Sequence, residues 1–178
     1  MPTLRDTLGI ELLWEQDGLL SRQYELRGTD QVFARLRWEG SFGSLASATT
    51  ESGSYTFKRT GFLRPRVTVR PSGADTEVAT FQPNWLGHGP LLVQSARQYY
   101  WSNAGFWQAA WGFATPDGAR LVEFRPRFSV ARKITGVEIA PSALANPDVP
   151  LLAAFGWYLL VMMAQESGGA AAVIMMSS

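Results

Sequence analysis

One apolar segment limits what this chain can fold into. In "DVPLLAAFGWYLLVMMAQES", residues 148–167, no charged or strongly polar residue occurs from Val149 to Ala164. Asn146 is predicted to cap a helix over about 148–167, Asp148 suits the positive end of its dipole, and a glycine at 168 favours its end. A helix that is apolar on every side lies in a protein interior or in a bilayer. The rest of the chain must surround this helix or be anchored by it.

The sequence favours a position of this helix in the protein interior over a position in a membrane. The uninterrupted run has sixteen residues, just below the roughly seventeen that a membrane span needs. Its flanks are acidic, at Asp148 and Glu166, and no Lys or Arg follows, whereas membrane anchors commonly carry basic flanks. We therefore predict a core helix, and a tail-anchored membrane protein is the alternative. The helix residues expected in the core are Leu152, Phe155, Trp157, Leu159 and Met162.

The segment from about residue 9 to residue 140 reads as short β-strands. Apolar and polar residues alternate in "IELLWEQ" and "SRQYELR", which flank Asp17-Gly18. The runs "WGFAT" and "ARLVEFR" flank Asp117-Gly118 in the same way. Asp-Gly between alternating runs is typical of a β-hairpin, because both residues tolerate positive φ. The predicted class is mainly β.

An internal repeat sets the number of strands. "EVATFQPNW" (77–85) aligns with "RLVEFRPRF" (120–128), and "VFARLRW" is a fainter copy. The three anchors, Leu36, Phe81 and Phe124, are 45 and 43 residues apart, which fits four short strands per unit. A barrel of about twelve strands is too wide for its own side chains to fill. We predict one domain over residues 1–178, a closed barrel of about twelve strands around the C-terminal helix, followed by an apolar tail at 168–178.

The composition excludes several classes of protein. The chain has no Cys and one His, His88, so it cannot form a disulfide framework, a Cys-based zinc site or a His-rich metal site. Neither a nucleophile elbow nor a nucleotide-binding loop is present. We expect no enzyme activity and no cofactor, although a pair of carboxylates that meet only in the fold stays open. The N-terminus lacks the apolar core of a signal peptide, so we expect a cytoplasmic protein.

Basic residues are concentrated in the middle of the chain. Residues 52–137 hold eleven Lys or Arg and four Asp or Glu. In "RPRVTVR", Arg64, Arg66 and Arg70 are predicted to face one side, and Val67 and Val69 the other. The pattern is compatible with a site for an anionic ligand and with an ordinary solvated face of a barrel. The candidate ligand-binding residues are Lys58, Arg59, Arg64, Arg66, Arg70, Arg125, Arg127, Arg132 and Lys133.

Two other segments could bind a protein partner. The aromatic residues of "QYYWSNAGFWQAAW" (98–111) do not keep one strand phase, and the tail "AAAVIMMSS" is apolar. Either segment could dock a partner in a scaffold protein. Most other aromatic residues fall on the apolar phase of their strands, so no nucleic-acid partner is expected. The sequence does not indicate the oligomeric state.

The hairpins "YELRGTDQVFARL" and "WGFATPDGARLVEF" and the late helix "LLAAFGWYLLVMMAQE" carry a family resemblance. Over about residues 9–167 the chain resembles the Tubby C-terminal-like superfamily, and within it the LURP-one-related and phospholipid scramblase-like proteins. The resemblance implies a twelve-stranded barrel threaded by a hydrophobic helix. It also implies a non-enzymatic module that binds anionic lipid headgroups, peripherally attached to a membrane. The tail departs from the pattern, because members usually end close to the helix.

Overall fold

A computed structural model describes residues 1–18, 21–40, 43–104, 110–127 and 134–166, with residue 127 described in its backbone only. Twelve strands precede one α-helix, α1 (Val149–Glu166), and 3-10 turns occupy Leu4–Thr7 and Pro141–Ala143. The strands are β1 (Leu12–Gln16), β2 (Gln23–Gly28), β3 (Gln31–Trp38), β4 (Ala46–Thr50), β5 (Gly53–Thr60), β6 (Arg66–Pro71), β7 (Ala79–Phe81), β8 (Gly89–Val93), β9 (Gln98–Asn103), β10 (Trp111–Ala114), β11 (Arg120–Arg127) and β12 (Ile134–Ile139).

The strands form a closed antiparallel barrel. Each strand pairs with the next one along the chain, and β1 pairs with β12, with Leu12 opposite Val137 and Glu15 opposite Ile134. Closure leaves no strand edge free to pair with another chain. The predicted fold class, a closed barrel of about twelve strands with a C-terminal hydrophobic helix, is confirmed.

The repeat corresponds to the strand count. Leu36 lies on β3, Phe81 on β7 and Phe124 on β11, so the anchors are four strands apart. All three side chains are buried in the barrel core. The spacing in the sequence thus reflects one inward-facing position that recurs once every four strands.

The helix lies inside the barrel. It is buried continuously from Val149 to Val161, and its aromatic side chains contact strands on different sides of the wall. By length and composition α1 could cross a membrane, but 72% of it is buried within the protein. Leu152, Phe155, Trp157 and Leu159 are buried, and Met162 is partly buried against the core, as predicted. The ring partners of the helix on the wall are Trp14, Tyr24, Trp38, Phe57, Phe81 and Phe113.

The α-helix begins at Val149. A helix whose N-cap residue is Asn146 would begin at residue 147, two residues earlier. Asp148 directly precedes α1, and its carbonyl oxygen accepts the bond from the Leu152 N–H at 2.9 Å. Asn146 instead accepts the Asp148 N–H through its side-chain oxygen, at 3.0 Å, which closes a turn before the helix. Asn146 therefore caps the turn that leads into the helix, and α1 itself begins at Val149. The Asp148 carboxylate binds Arg97 and Tyr99 of the wall, at 2.9 and 2.7 Å.

The two ends of the barrel differ. Because neighbouring strands are antiparallel, alternate loops lie at the same end. Two loops that are described throughout, 61–65 and 82–88, follow odd-numbered strands. The last turn of α1 is at their end, which is here called the C-terminal end. The loops that follow even-numbered strands lie at the opposite end.

Candidate functional site

The hairpin of β5 and β6 carries the main group of predicted ligand-binding cations. Val67 and Val69 are buried in the core, so Arg66 and Arg70 lie on the outer face of β6, as predicted. Lys58 of β5 is exposed on the same face and is opposite Thr68 in register.

This register brings the cations together. Diagonal neighbours on adjacent antiparallel strands are about 7–8 Å apart, so Lys58 is diagonal to both Arg66 and Arg70. Arg64 belongs to the loop 61–65 and not to β6, and it is exposed beyond the end of the strand. We call Lys58, Arg64, Arg66 and Arg70 the basic patch.

One carboxylate partly neutralises the basic patch. The Arg66 guanidinium contacts Glu77 at 2.6 Å, and that of Arg70 contacts the other oxygen of the same carboxylate at 3.2 Å. Both arginine side chains stay more than 40% exposed. The sequence stretch 52–74 holds no acid, and the β6–β7 hairpin brings Glu77 back beside it.

The other two members of the patch have no such partner. Lys58 and Arg64 form no salt bridge with any residue that the structure describes. Only two of the four cations therefore contact a carboxylate, and Glu77 leaves the basic patch with a net charge of about +3. The Arg70 Nε–H is buried and has no hydrogen-bond partner among the described residues, so the exposed donors of Arg70 are those of its terminal nitrogens.

Arg59 is separated from the patch. It occupies the inward phase of β5 at the mouth of the barrel, where it forms an ion pair with Glu166 in the last turn of α1. Its side chain is 26% exposed. Arg59 therefore connects the helix to the wall, and it is not an open ligand-binding group on the outer face.

The predicted ligand-binding cations of the segment 125–133 are Arg125, Arg127, Arg132 and Lys133, and the one whose side chain is described, Arg125, is matched by acids. Arg125 contacts Glu123 at 2.7 Å and Glu138 at 3.1 Å, and Arg120 contacts Glu123 at 2.8 Å. Two cations and two carboxylates thus form a network on the outer face of β11 and β12. Of the other candidates in this segment, Arg127 is described in its backbone only, and Arg132 and Lys133 lie outside the described residues.

Large apolar side chains project from two loops next to the basic patch. Phe62 and Leu63, in the loop 61–65, are 97% and 90% exposed. Trp85 and Leu86, in the loop 82–88, are 90% and 50% exposed. We call these four residues the apolar tip. The sequence reasoning missed it, because Trp85 was aligned with an apolar repeat position and the aromatic residues were assigned mostly to the core.

Local hydrogen bonds hold the loop 82–88 in shape. The Asn84 side-chain oxygen accepts the Leu86 N–H at 2.9 Å and the His88 N–H at 3.1 Å. The backbone N–H of Asn84 also donates to the His88 carbonyl at 2.6 Å. Because these bonds close the turn at its base, the Trp85 side chain projects outward. His88 packs edge-on against Trp111, at 5.0 Å between ring centroids.

The two loops border one cleft at the C-terminal end. It has a volume of about 210 Å³. Pro65 of one loop and Trp85 of the other line it, together with Met162 and Met163 of the helix. Each of the two loops that carry the apolar tip therefore contributes a residue to this cleft.

The aromatic segment is partly described. Tyr99 and Trp101 face the core of the barrel, whereas Tyr100 faces outward and is 42% exposed. Trp111 is buried and stacks on Trp101, at 5.5 Å between ring centroids. The docking predictions that involve residues 105–109 and the tail 168–178 fall outside the described residues. Among the residues that the structure does describe, no group of three His, Asp or Glu could hold a metal ion.

Comparison of the chain with models of protein families, with curated proteins and with solved structures gives no match. The resemblance to the Tubby-like superfamily therefore stays a prediction. Function has to be inferred from the chemistry of the surface at the C-terminal end.

Proposed function

We propose that this protein is a non-enzymatic module that binds anionic phospholipid headgroups at a membrane surface. The observation that carries the proposal is the basic patch, in which Arg66 and Arg70 pair with the single carboxylate of Glu77, while Lys58 and Arg64 form no salt bridge with a described residue. The resemblance to the Tubby-like and scramblase-like proteins supports the same class of ligand. We expect peripheral attachment of a cytoplasmic protein.

The patch suits phosphate chemically. A guanidinium has five N–H donors in a planar fork that matches two phosphate oxygens. Arg66 and Arg70 each use only part of this set on Glu77. A phosphate can therefore bind to the remaining donors without breaking the existing ion pairs. Lys58 and Arg64 add exposed charge on the two sides of this pair.

The expected attraction is moderate. A Lys or Arg near an anionic membrane surface contributes about 1 kcal/mol, so a net charge of about +3 contributes roughly 3 kcal/mol. This corresponds to roughly a hundredfold enrichment at the surface. Surface charges are screened by salt over a Debye length of about 8–10 Å at physiological ionic strength. Binding by the patch alone should be weak, rapidly reversible and sensitive to salt.

Vesicle sedimentation tests the proposal. The protein should pellet with phosphatidylcholine vesicles that contain phosphatidylserine and not with phosphatidylcholine alone, and the bound fraction should fall as salt rises from about 0.05 M to about 0.5 M. Arg64→Glu should weaken binding severalfold, and Lys58→Glu with Arg64→Glu should abolish it. Arg5→Glu is the matched control, because Arg5 is exposed at the opposite end. Equal binding by wild type and the double variant would reject the proposal.

Two alternatives predict different results. A tail-anchored protein would stay in the membrane pellet after a carbonate wash, and the burial of α1 argues against this outcome. An interaction or scaffold protein that docks through its tail would change its oligomeric state or its partners when the chain is cut after residue 167. Equal binding to vesicles by that truncated chain would favour the lipid module.

A further inference from the structure

We propose that the apolar tip inserts into the interfacial layer of an anionic bilayer and so orients the barrel with its C-terminal end toward the membrane. The inference deepens the proposed function and depends on it. It assigns a second, apolar contribution to membrane binding, from Phe62, Leu63, Trp85 and Leu86, that the sequence analysis did not anticipate.

The exposure of these residues is the first argument. Within the described part of the chain, three large apolar residues are at least 90% exposed, namely Phe62, Leu63 and Trp85. All three lie on two loops at one end of the barrel. A monomeric soluble protein seldom leaves such side chains grouped in water, and grouped exposure marks a binding surface.

The geometry of the loops is the second argument. A Cβ built on Gly61, whose φ is +81°, would lie 2.5 Å from the carbonyl oxygen of Arg64. This close approach forms a tight bend, and Phe62 and Leu63 are at its apex. In the loop 82–88 the Asn84 side chain fixes the bend that exposes Trp85. Both loops thus present apolar side chains on short, internally constrained turns.

The distribution of charge identifies the partner as an anionic bilayer. Neither the loop 61–65 nor the loop 82–88 contains an acid, and Arg64 directly follows the apolar pair in the first of them. At the opposite end, four of the five loops contain an acid that is not paired with the basic patch: Asp30, Glu51, Asp75 and Asp117. An anionic membrane should therefore be attracted to these two loops and the adjoining basic patch more strongly than to the opposite end.

The residue types match the layers of a bilayer. Trp prefers the headgroup region, where its ring is partly buried and its N–H still finds a polar partner. Phe and Leu favour the adjoining acyl region. Arg and Lys can keep their charged groups at the phosphates while their alkyl chains follow the apolar surface. The basic patch lies on the wall below the tip, where headgroups would contact it after insertion.

A single fluorescent label can test insertion, because the chain contains no Cys. Leu86→Cys carries an environment-sensitive dye at the tip and leaves the other three tip residues intact. Ala74→Cys is the matched control, because Ala74 is exposed in the loop 72–78 at the opposite end. With vesicles that contain phosphatidylserine, the dye at 86 should shift to the blue and be quenched by nitroxide-labelled lipid, and the dye at 74 should do neither.

A variant measures the contribution to affinity. Phe62→Ser with Leu63→Ser should lower partitioning into these vesicles by about tenfold or more. The reason is that insertion of the wild type transfers both apolar side chains from water into the bilayer, and this gain is lost in the variant. Both residues are almost fully exposed, so the thermal unfolding midpoint should not fall. An unchanged midpoint together with reduced partitioning supports insertion.

The remaining outcomes separate the two proposals. If the wild type does not pellet with anionic vesicles, the proposed function fails and insertion fails with it. If the wild type pellets while the dye at 86 stays in water and the serine variant binds as well as wild type, insertion is overturned and headgroup binding stands. A blue shift at 86 that depends on protein concentration without vesicles would assign the tip to contact between two copies of the chain, and would overturn the inference.

Discussion

Gly156 allows the ring of Phe124 to lie directly against the backbone of the central helix. A Cβ built at residue 156 would be 2.4 Å from two carbons of that ring, and 3.1 Å from the ring of Trp101. Phe124 is fully buried on β11, so its ring has little room to move. The helix fits within the barrel because its narrowest position faces a large aromatic residue of the wall.

Gly156→Ala should destabilise the protein. In an isolated helix this change would be favourable by about 1 kcal/mol, because Ala is the better helix former. Here the added methyl overpacks the core, which typically costs about 1–3 kcal/mol. The crowding at Phe124 is severe, so we expect a net loss of about 1–2 kcal/mol in the free energy of unfolding, measured by denaturant titration. A gain in stability would show that the helix does not pack against this ring.

The same contact can be isolated with a double-mutant cycle. In a Phe124→Leu background the Ala methyl has more room, so Gly156→Ala should cost less there than in the wild type. The two changes should therefore be non-additive by about 0.5 kcal/mol or more, as is usual for residues in contact. Additive costs would indicate that the crowding arises from another neighbour.

Glu25 should contribute a stability that disappears in acid. It is buried on the outer face of β2, between Arg35 at 2.8 Å and Arg27. The hydrogen bond from Arg35 is the main factor that lowers the pKa of the Glu25 carboxyl, against the opposing effect of burial. A lowered pKa in the folded state means that the contribution is present above the ordinary pKa and is lost as pH falls through the folded value.

Comparison of Glu25→Gln with the wild type gives the test. At pH 7 the variant should be less stable by about 1 kcal/mol, the size expected for partly exposed ion pairs. The difference should shrink as pH falls below the ordinary pKa of a glutamate, about 4.3, because the wild-type carboxyl becomes protonated. Asp75→Asn, in an exposed loop, is the control and should show no such convergence. A difference that is constant with pH would assign the loss to packing instead of charge.

Tyr99 should make the protein sensitive to alkali. Burial, reinforced by its hydrogen bond to Asp148, raises the pKa of the Tyr99 phenol to about 12. A raised pKa in the folded state means that stability is fully present below the ordinary pKa and is lost as pH rises from about 10 to about 12. One such group changes the free energy of unfolding by at most about 1.4 kcal/mol per pH unit.

Unfolding titrations of Tyr99→Phe at several alkaline pH values test this effect. The variant should be less stable than the wild type at pH 8, because it leaves Asp148 without one donor. Above about pH 10 it should lose stability less steeply than the wild type does. Parallel losses in the two proteins would mean that other groups, such as Tyr158, whose pKa is also raised by burial, determine the alkaline response.

Much of the fold could be predicted because it depends on periodicity. The spacing of Leu36, Phe81 and Phe124 predicted four strands per unit, since the same inward position recurs once in each unit. The alternation around Val67 and Val69 predicted which side of β6 faces solvent. Such patterns are local or regular, so the sequence alone is sufficient to recognise them.

The site was harder to predict because it depends on contacts between distant residues and on the ends of strands. Arg59 was grouped with its neighbours as a ligand-binding cation, but Glu166, far along the chain, occupies it. Trp85 was aligned with a repeat position, yet β7 ends at Phe81, so strand alternation no longer fixes its direction. Beyond the last strand residue, the hydrogen bonds of the loop determine which side chains reach solvent.

The two ends of the helix should differ in how much their carboxylates contribute. Asp148 binds Arg97 and Tyr99 with its side chain only 11% exposed, whereas Glu166 pairs with Arg59 while 49% exposed. Asp148→Asn leaves the buried Tyr99 hydroxyl and the partly exposed Arg97 poorly matched, which typically costs about 1–3 kcal/mol. Glu166→Gln should cost less than about 1 kcal/mol, because solvent and salt already screen that pair.

Because both changes replace a carboxylate with an amide, the two free energies of unfolding can be compared directly. Equal costs would mean that the C-terminal end of the helix is held as firmly as the N-terminal end, and the cleft beside Met163 would then be a rigid part of the barrel.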